Sequence, residues 1–230
     1  MKARVLLAIL SLPLLVSLSL AQENKLVQFH IAIVKRGPNW TDRSVEFQKV
    51  RQEHRNYVMS LIESGKAVAA GPFGDNTDTV GIIIFRAANV EEAKSWADAD
   101  PAAKAGHHIN EMLPWWSEDV FGKASKPANH ETVYFGFLKR GPNRKEGDGQ
   151  TPEVQELQKA HIANINRLAE TKKLVVAGPF GGNGELRGIF VFRVGSLKEA
   201  QDLAATDPMI KIDRLRLELH EWKVPAGLIP

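Results

Sequence analysis

A single feature constrains the fold of this 230-residue chain more than any other: the same pattern of residues is written in it twice. Lys35-Arg36-Gly37-Pro38-Asn39 returns as Lys139-Arg140-Gly141-Pro142-Asn143, 104 positions later. From His54 onward, matched by His161, the offset is 107, so the second copy holds three extra residues in the loop or first helix. That offset then persists. Gly71-Pro72-Phe73-Gly74 matches Gly178-Pro179-Phe180-Gly181, Asp100-Pro101 matches Asp207-Pro208, and Trp115 matches Trp222. A register kept over that length means that both copies build the same elements in the same order.

Hydrophobic periodicity names those elements. Val27 to Val34 and Val133 to Leu138 are rich in β-branched and aromatic residues and end near a Gly-Pro turn, as strands do. Val50, His54, Val58, Leu61 and Ile62 then recur at steps of three and four, as do Val154, Leu157, His161, Ile165 and Leu168, which predicts a helix in each copy. Ala67–Ala70 and Leu174–Ala177 read as short buried strands, and Val80–Phe85 and Gly188–Phe192 as a third. A second helix starts at Asn89 or Ser196, with Glu92 or Glu199 at the capping-box position. A last strand runs from His108 to Trp116 and from Leu215 to Trp222. Each copy is thus β-α-β-β-α-β, a ferredoxin-like module of the α+β class. Its helices cover one sheet face and leave the other bare, so the two modules are expected to stack sheet on sheet as an intrachain pseudo-dimeric α+β barrel.

The amino terminus carries a different signal. Lys2 and Arg4 precede an apolar run from Val5 to Leu20 and the small-residue site Ser19-Leu20-Ala21, the pattern of a secretory signal peptide. The expected division is 1–21 as signal peptide, 22–120 as the first module, 121–130 as linker and 131–230 as the second module. The protein is accordingly expected to be periplasmic or secreted, with no membrane attachment after cleavage. Without Lys2 and Arg4 the chain holds 28 basic and 27 acidic residues, a balance that argues against nucleic acid as partner. It has no cysteine, which removes disulfides, thiolate metal sites and a cysteine nucleophile.

The order of these residues resembles the YCII-related family. The first copy supplies Arg51, His54, Gly65, Lys66, Gly71, Pro72, Gly81, Glu92, Ala93, Asp100, Pro101 and Trp115; the second supplies His161, Lys173, Gly178, Pro179, Gly188, Glu199, Ala200, Asp207, Pro208 and Trp222. The resemblance implies the dimeric α+β barrel fold and a His and Asp pair in a pocket. It also brings the analogy of an enzymatic relative that removes chloride from a chlorinated hydroxyquinol.

In this chain the pairs are His54 with Asp100 and His161 with Asp207, each separated by 46 positions. A histidine whose tautomer is held by a carboxylate suits acid/base work, lyase-like or otherwise. Each residue also has a bland reading. Asp-Pro is the N-cap and N1 signature of a helix start, and a histidine on an apolar helix face is often a satisfied core residue. Arg51 and Tyr57 stand one turn either side of His54 and, with Gly71, Pro72, Gly178 and Pro179, are candidate substrate-binding positions. Gln158 and Asn164 replace Arg51 and Tyr57 in the second copy, so the first site is the richer one. His107-His108 looks like a metal pair, but its counterparts Arg214 and Leu215 are not ligands, and neither metal nor cofactor is expected. Two functions remain: acid/base chemistry on a small, cyclic or phenolic molecule, or a non-catalytic module that binds a small ligand or is purely structural. Further oligomerisation stays open.

Overall fold

The computed structural model describes residues 25–41, 44–125, 129–145, 147–182 and 184–230. The amino-terminal export pattern therefore lies outside the described residues. The first module contains β1 (Val27–Arg36), α1 (Val45–Glu63), β2 (Ala67–Pro72), β3 (Thr79–Phe85), α2 (Val90–Asp98), α3 (Pro101–Lys104) and β4 (His108–Ser117). The second repeats them as β5 (His130–Arg140), α4 (Pro152–Glu170), β6 (Leu174–Pro179), β7 (Leu186–Phe192), α5 (Leu197–Ala204), α6 (Pro208–Lys211) and β8 (Leu215–Pro225). β8 runs three residues beyond Trp222 because its end pairs with the start of β5, Pro225 opposite His130. Among the described residues, no helix is long and apolar enough to cross a membrane.

Local chemistry sets the boundaries. Ser44, Asn89 and Ser196 cap α1, α2 and α5 by accepting from the backbone N–H three residues on. Glu92 and Glu199 reach back to the N–H groups of Ala88 and Gly195, so both ends of the expected boxes are closed.

Each module forms an antiparallel sheet, ordered β2-β3-β1-β4 and β6-β7-β5-β8. Period-2 alternation on the central strands divides the apolar side chains between two layers. Phe29, Ile31 and Ile33 of β1 meet Val133, Phe135 and Phe137 of β5 in a core between the sheets. Ala32 and Val34 face the helices of their own module, as Tyr134 and Leu138 do. The sheets thus cover each other's bare faces.

The sheet edges meet as well. Phe73 bridges to Trp222 and Trp115 to Phe180, which closes the two sheets into a barrel. At these seams Trp115 Nε1 donates to the Gly178 carbonyl at 3.0 Å and Trp222 Nε1 to the Gly71 carbonyl at 2.9 Å. A Cβ on Gly71 would fall inside the shell of the Lys223 carbonyl oxygen, and one on Gly178 inside that of Trp116. The repeated Gly-Pro therefore marks where one module's strand passes against the other's. Residues 121–125 are fastened to the carboxy terminus, Gly122 N–H to Leu228 O at 2.9 Å and Ser125 N–H to Ala226 O at 2.8 Å.

Candidate active site

The 3.6-residue period of α1 turns His54 toward the start of α3. There Asp100, held by the helix-start geometry of Asp-Pro, serves two partners. Its Oδ1 accepts from Ala102 N–H at 2.8 Å as an N-cap, and its Oδ2 lies 2.6 Å from His54 Nδ1. The capping and pairing readings are thus both realised, by different oxygens of one carboxylate. A carboxylate only accepts, so Nδ1 carries the hydrogen and Nε2 is the nitrogen left for a ligand. The second copy repeats this geometry: Asp207 Oδ1 caps α6 at Met209 N–H, 2.9 Å, and Oδ2 is 2.6 Å from His161 Nδ1.

The surroundings separate the two pairs. The His54 side chain is 21% exposed and that of His161 10%. His54 borders a cavity of about 440 Å³ whose wall is largely apolar, with Trp40, Phe47, Val58, Ile62 and Val80 among its residues. Arg51, Gly71 and Pro72 line it too, as does Lys223 from the second module, and no described carboxylate does. In the second module Met209 replaces Ala102 and Phe190 replaces Ile83, and the Phe190 ring stacks 6.2 Å from His161. Phe190 thus sets a ring against His161 where the first module has the aliphatic Ile83.

Not every expected site residue reaches the cavity. The Tyr57 hydroxyl donates instead to the Trp96 carbonyl at 2.9 Å, which ties α1 to α2, and burial with the nearby Asp100 raises its pKa. Gly178 and Pro179 belong to the barrel seam described above. His108, by contrast, joins the site although its repeat counterpart, Leu215, is no ligand. Its ring stands edge-on to His54 at 4.7 Å and stacks against Trp40 at 5.8 Å. Burial pushes its pKa down to about 4, and the neighbouring His54, His107 and Arg51 add to the fall against the pull of Asp100. Its available signal was its position as the first residue of β4, where the second copy has Leu215.

Ligand atoms of His54, Asp100 and His108 all lie within 4.8 Å of one another, which is close enough to share a cation. His54 Nδ1 and Asp100 Oδ2 are engaged with each other, however, and a cation would first have to part them.

A duplicated ferredoxin-like module closed into one barrel, with a His/Asp pair under the first long helix, defines the class of this protein. The chain belongs to the family of the YCII-related domain, whose model matches residues 23–116 and 139–223. It is 31% identical over 78 residues to the uncharacterized protein YjpA of Bacillus subtilis (strain 168), a match covering 32% of this chain and 89% of that protein. Among solved structures it is similar to a chlorite dismutase variant from Candidatus Nitrospira defluvii in complex with cyanide, with a TM-score of 0.57, 14% identity, and 87% of this chain and 91% of that one covered. It is also similar to a heme-binding protein from Thermus thermophilus, with a TM-score of 0.50, 13% identity and coverage of 86% and 92%. At such identities these two likenesses concern the fold alone.

Proposed function

We propose that the first module takes a small, cyclic, hydroxyl-bearing molecule of the phenolic kind, and that His54 moves a proton at that hydroxyl while Asp100 holds the imidazole. The observation that carries this reading is the 2.6 Å His54–Asp100 bond at the wall of an apolar cavity of about 440 Å³. Apolar walls suit a ring, and Arg51 and Lys223 offset the negative charge of a phenolate, the nearby Asp100 carboxylate being engaged by His54 and the Ala102 N–H. The family resemblance, with its dechlorinating member, points to the same substrate class. The amino-terminal pattern supports an exported protein that meets its ligand outside the cytoplasm.

Heme is named for one fold neighbour, but at 13% identity that likeness concerns the fold, and no heme chemistry is assigned to this chain.

One observation favours a second reading, in which the pair is only a structural clamp. His161 and Asp207 keep the same bond and cap with the His161 side chain only 10% exposed. Titration of the mature chain with 4-nitrophenol, whose absorption reports its ionisation, separates the two. Under the first reading the phenolate fraction rises on binding, His54→Gln abolishes the rise and His161→Gln leaves it. An unchanged response in His54→Gln, with stability lowered, would establish the clamp.

A further inference from the structure

The second module has a cavity of its own, about 310 Å³, and most of its wall is the repeat-equivalent of the first cavity's wall. Where the first has Trp40, Phe47, Arg51, Gln52 and Ala102, the second has Arg144, Val154, Gln158, Lys159 and Met209. The exchange removes two aromatic rings, moves the guanidinium from the helix to the loop after β5, and adds Lys159 on the helix, which pairs with Glu156.

More guanidinium groups stand around Arg144. Arg187 replaces Val80, Arg214 replaces His107, and Arg140 keeps the position of Arg36. Desolvation and the repulsion of Arg187, Arg214 and Arg140 depress the Arg144 pKa, and desolvation and Arg140 depress that of Arg187. The carboxylate that bears on Arg144 is Asp148, but both its oxygens face Arg214, at 2.5 and 2.8 Å. Among the described residues no carboxylate forms an ion pair with Arg140, Arg144 or Arg187, and the Nε atoms of Arg140 and Arg187 are buried without a partner. Clustered, partly desolvated cations at a cavity are stabilised by an oxyanion, which can accept from two planar forks at once. The first turn of α4 contributes Val154 and Gln155 to the wall, and its backbone field favours an anion against the charge of Glu153 in the same turn.

We propose that this second cavity is an anion site, distinct from the His54 pocket, that takes a small molecule carrying a carboxylate or phosphate group through Arg144 with Arg187 and Arg140 behind it. Duplication thus leaves one apolar acid/base pocket and one cationic pocket in a single barrel. The test is thermal unfolding and calorimetric titration of the mature chain with inorganic phosphate and with malonate, each against sodium chloride at matched ionic strength. The expected result is stabilisation beyond chloride by at least one of the two probes, which also tells phosphate from carboxylate preference. Arg144→Gln, and Arg144→Trp with the first module's side chain, should each weaken that binding at least tenfold, while His54→Gln leaves it unchanged. Without an anion, Arg144→Gln should unfold no earlier than the parent, because repulsion is relieved. Stabilisation no greater than that by chloride, or binding indifferent to both Arg144 variants, would overturn the proposal and leave that for the His54 pocket standing.

Discussion

Acidification should destabilise this protein through His108, and replacing His108 with the second module's leucine should remove much of that effect. The native pKa of His108 is lowered to about 4 by burial first, then by the charge of its neighbours, against an unfolded value of about 6.5. Above the unfolded value both states bind no proton there, and stability is complete. As pH falls between the two values, the unfolded chain takes up a proton that the native ring refuses, so stability is lost until the native ring also titrates. At 1.36 kcal/mol per unit, a span of some 2.5 units corresponds to about 3 kcal/mol. The groups facing the ring are Trp40, His54, Asp100, His107 and Arg51, and each remains in His108→Leu. His30, also lowered by burial, is common to both proteins and cancels in the comparison. Urea unfolding at about pH 7 and about pH 4.5 should cost the parent roughly 2–3 kcal/mol more than His108→Leu. Parallel losses in the two proteins would refute the burial of His108 as a neutral ring.

Further consequences follow from single contacts. Asp100→Asn retains an acceptor for the Ala102 N–H, so urea unfolding should show a change within about 1 kcal/mol while the response to 4-nitrophenol drops sharply; Asp100→Ala should lose both. Gly71→Ala sets a methyl group against the Lys223 carbonyl across the seam and should cost roughly 1–3 kcal/mol in urea unfolding, since neither strand can retreat without opening the barrel. Tyr57→Phe loses only the bond to Trp96 O, so stability should fall by about 1 kcal/mol with ligand response intact. Mass spectrometry of the native protein should find an amino terminus at or near Gln22, and an intact Met1 in a cytoplasmic fraction would contradict export.

Local pattern and repetition make much of the fold legible in the sequence. Two copies of β-α-β-β-α-β, each with a bare sheet face, leave few ways to bury Phe29, Ile31, Phe135 and Phe137, and the sheet-on-sheet barrel is one of them. The constant spacing of 46 made both His/Asp pairs visible, because their geometry arises within one module. Contacts assembled across the chain were not visible. Tyr57 shares the helix face of His54 by spacing, yet its longer side chain reaches past the cavity to Trp96. Trp40 and His108 meet only because the loop after β1 folds back on β4, and Lys223 reaches the first cavity only because the barrel closes. The inequality of the two sites was legible at Gln158 and Asn164, but the ring that stacks on His161 is Phe190, which stands outside the family's motif positions.

His54 lines the first module's cavity, whereas His161 lines neither that cavity nor the one around Arg144. Nitrogen-15 NMR of histidine-labelled mature protein, with His54→Gln and His161→Gln used for assignment, tests that difference directly. Both rings should appear as the tautomer with hydrogen on Nδ1, donating to Asp100 or Asp207. On addition of 4-nitrophenol the Nε2 resonance of His54 should move as the phenol proton is shared, while that of His161 stays in place. Equal shifts at both histidines, or a shift at neither under saturating phenol, would contradict a ligand site at His54 alone.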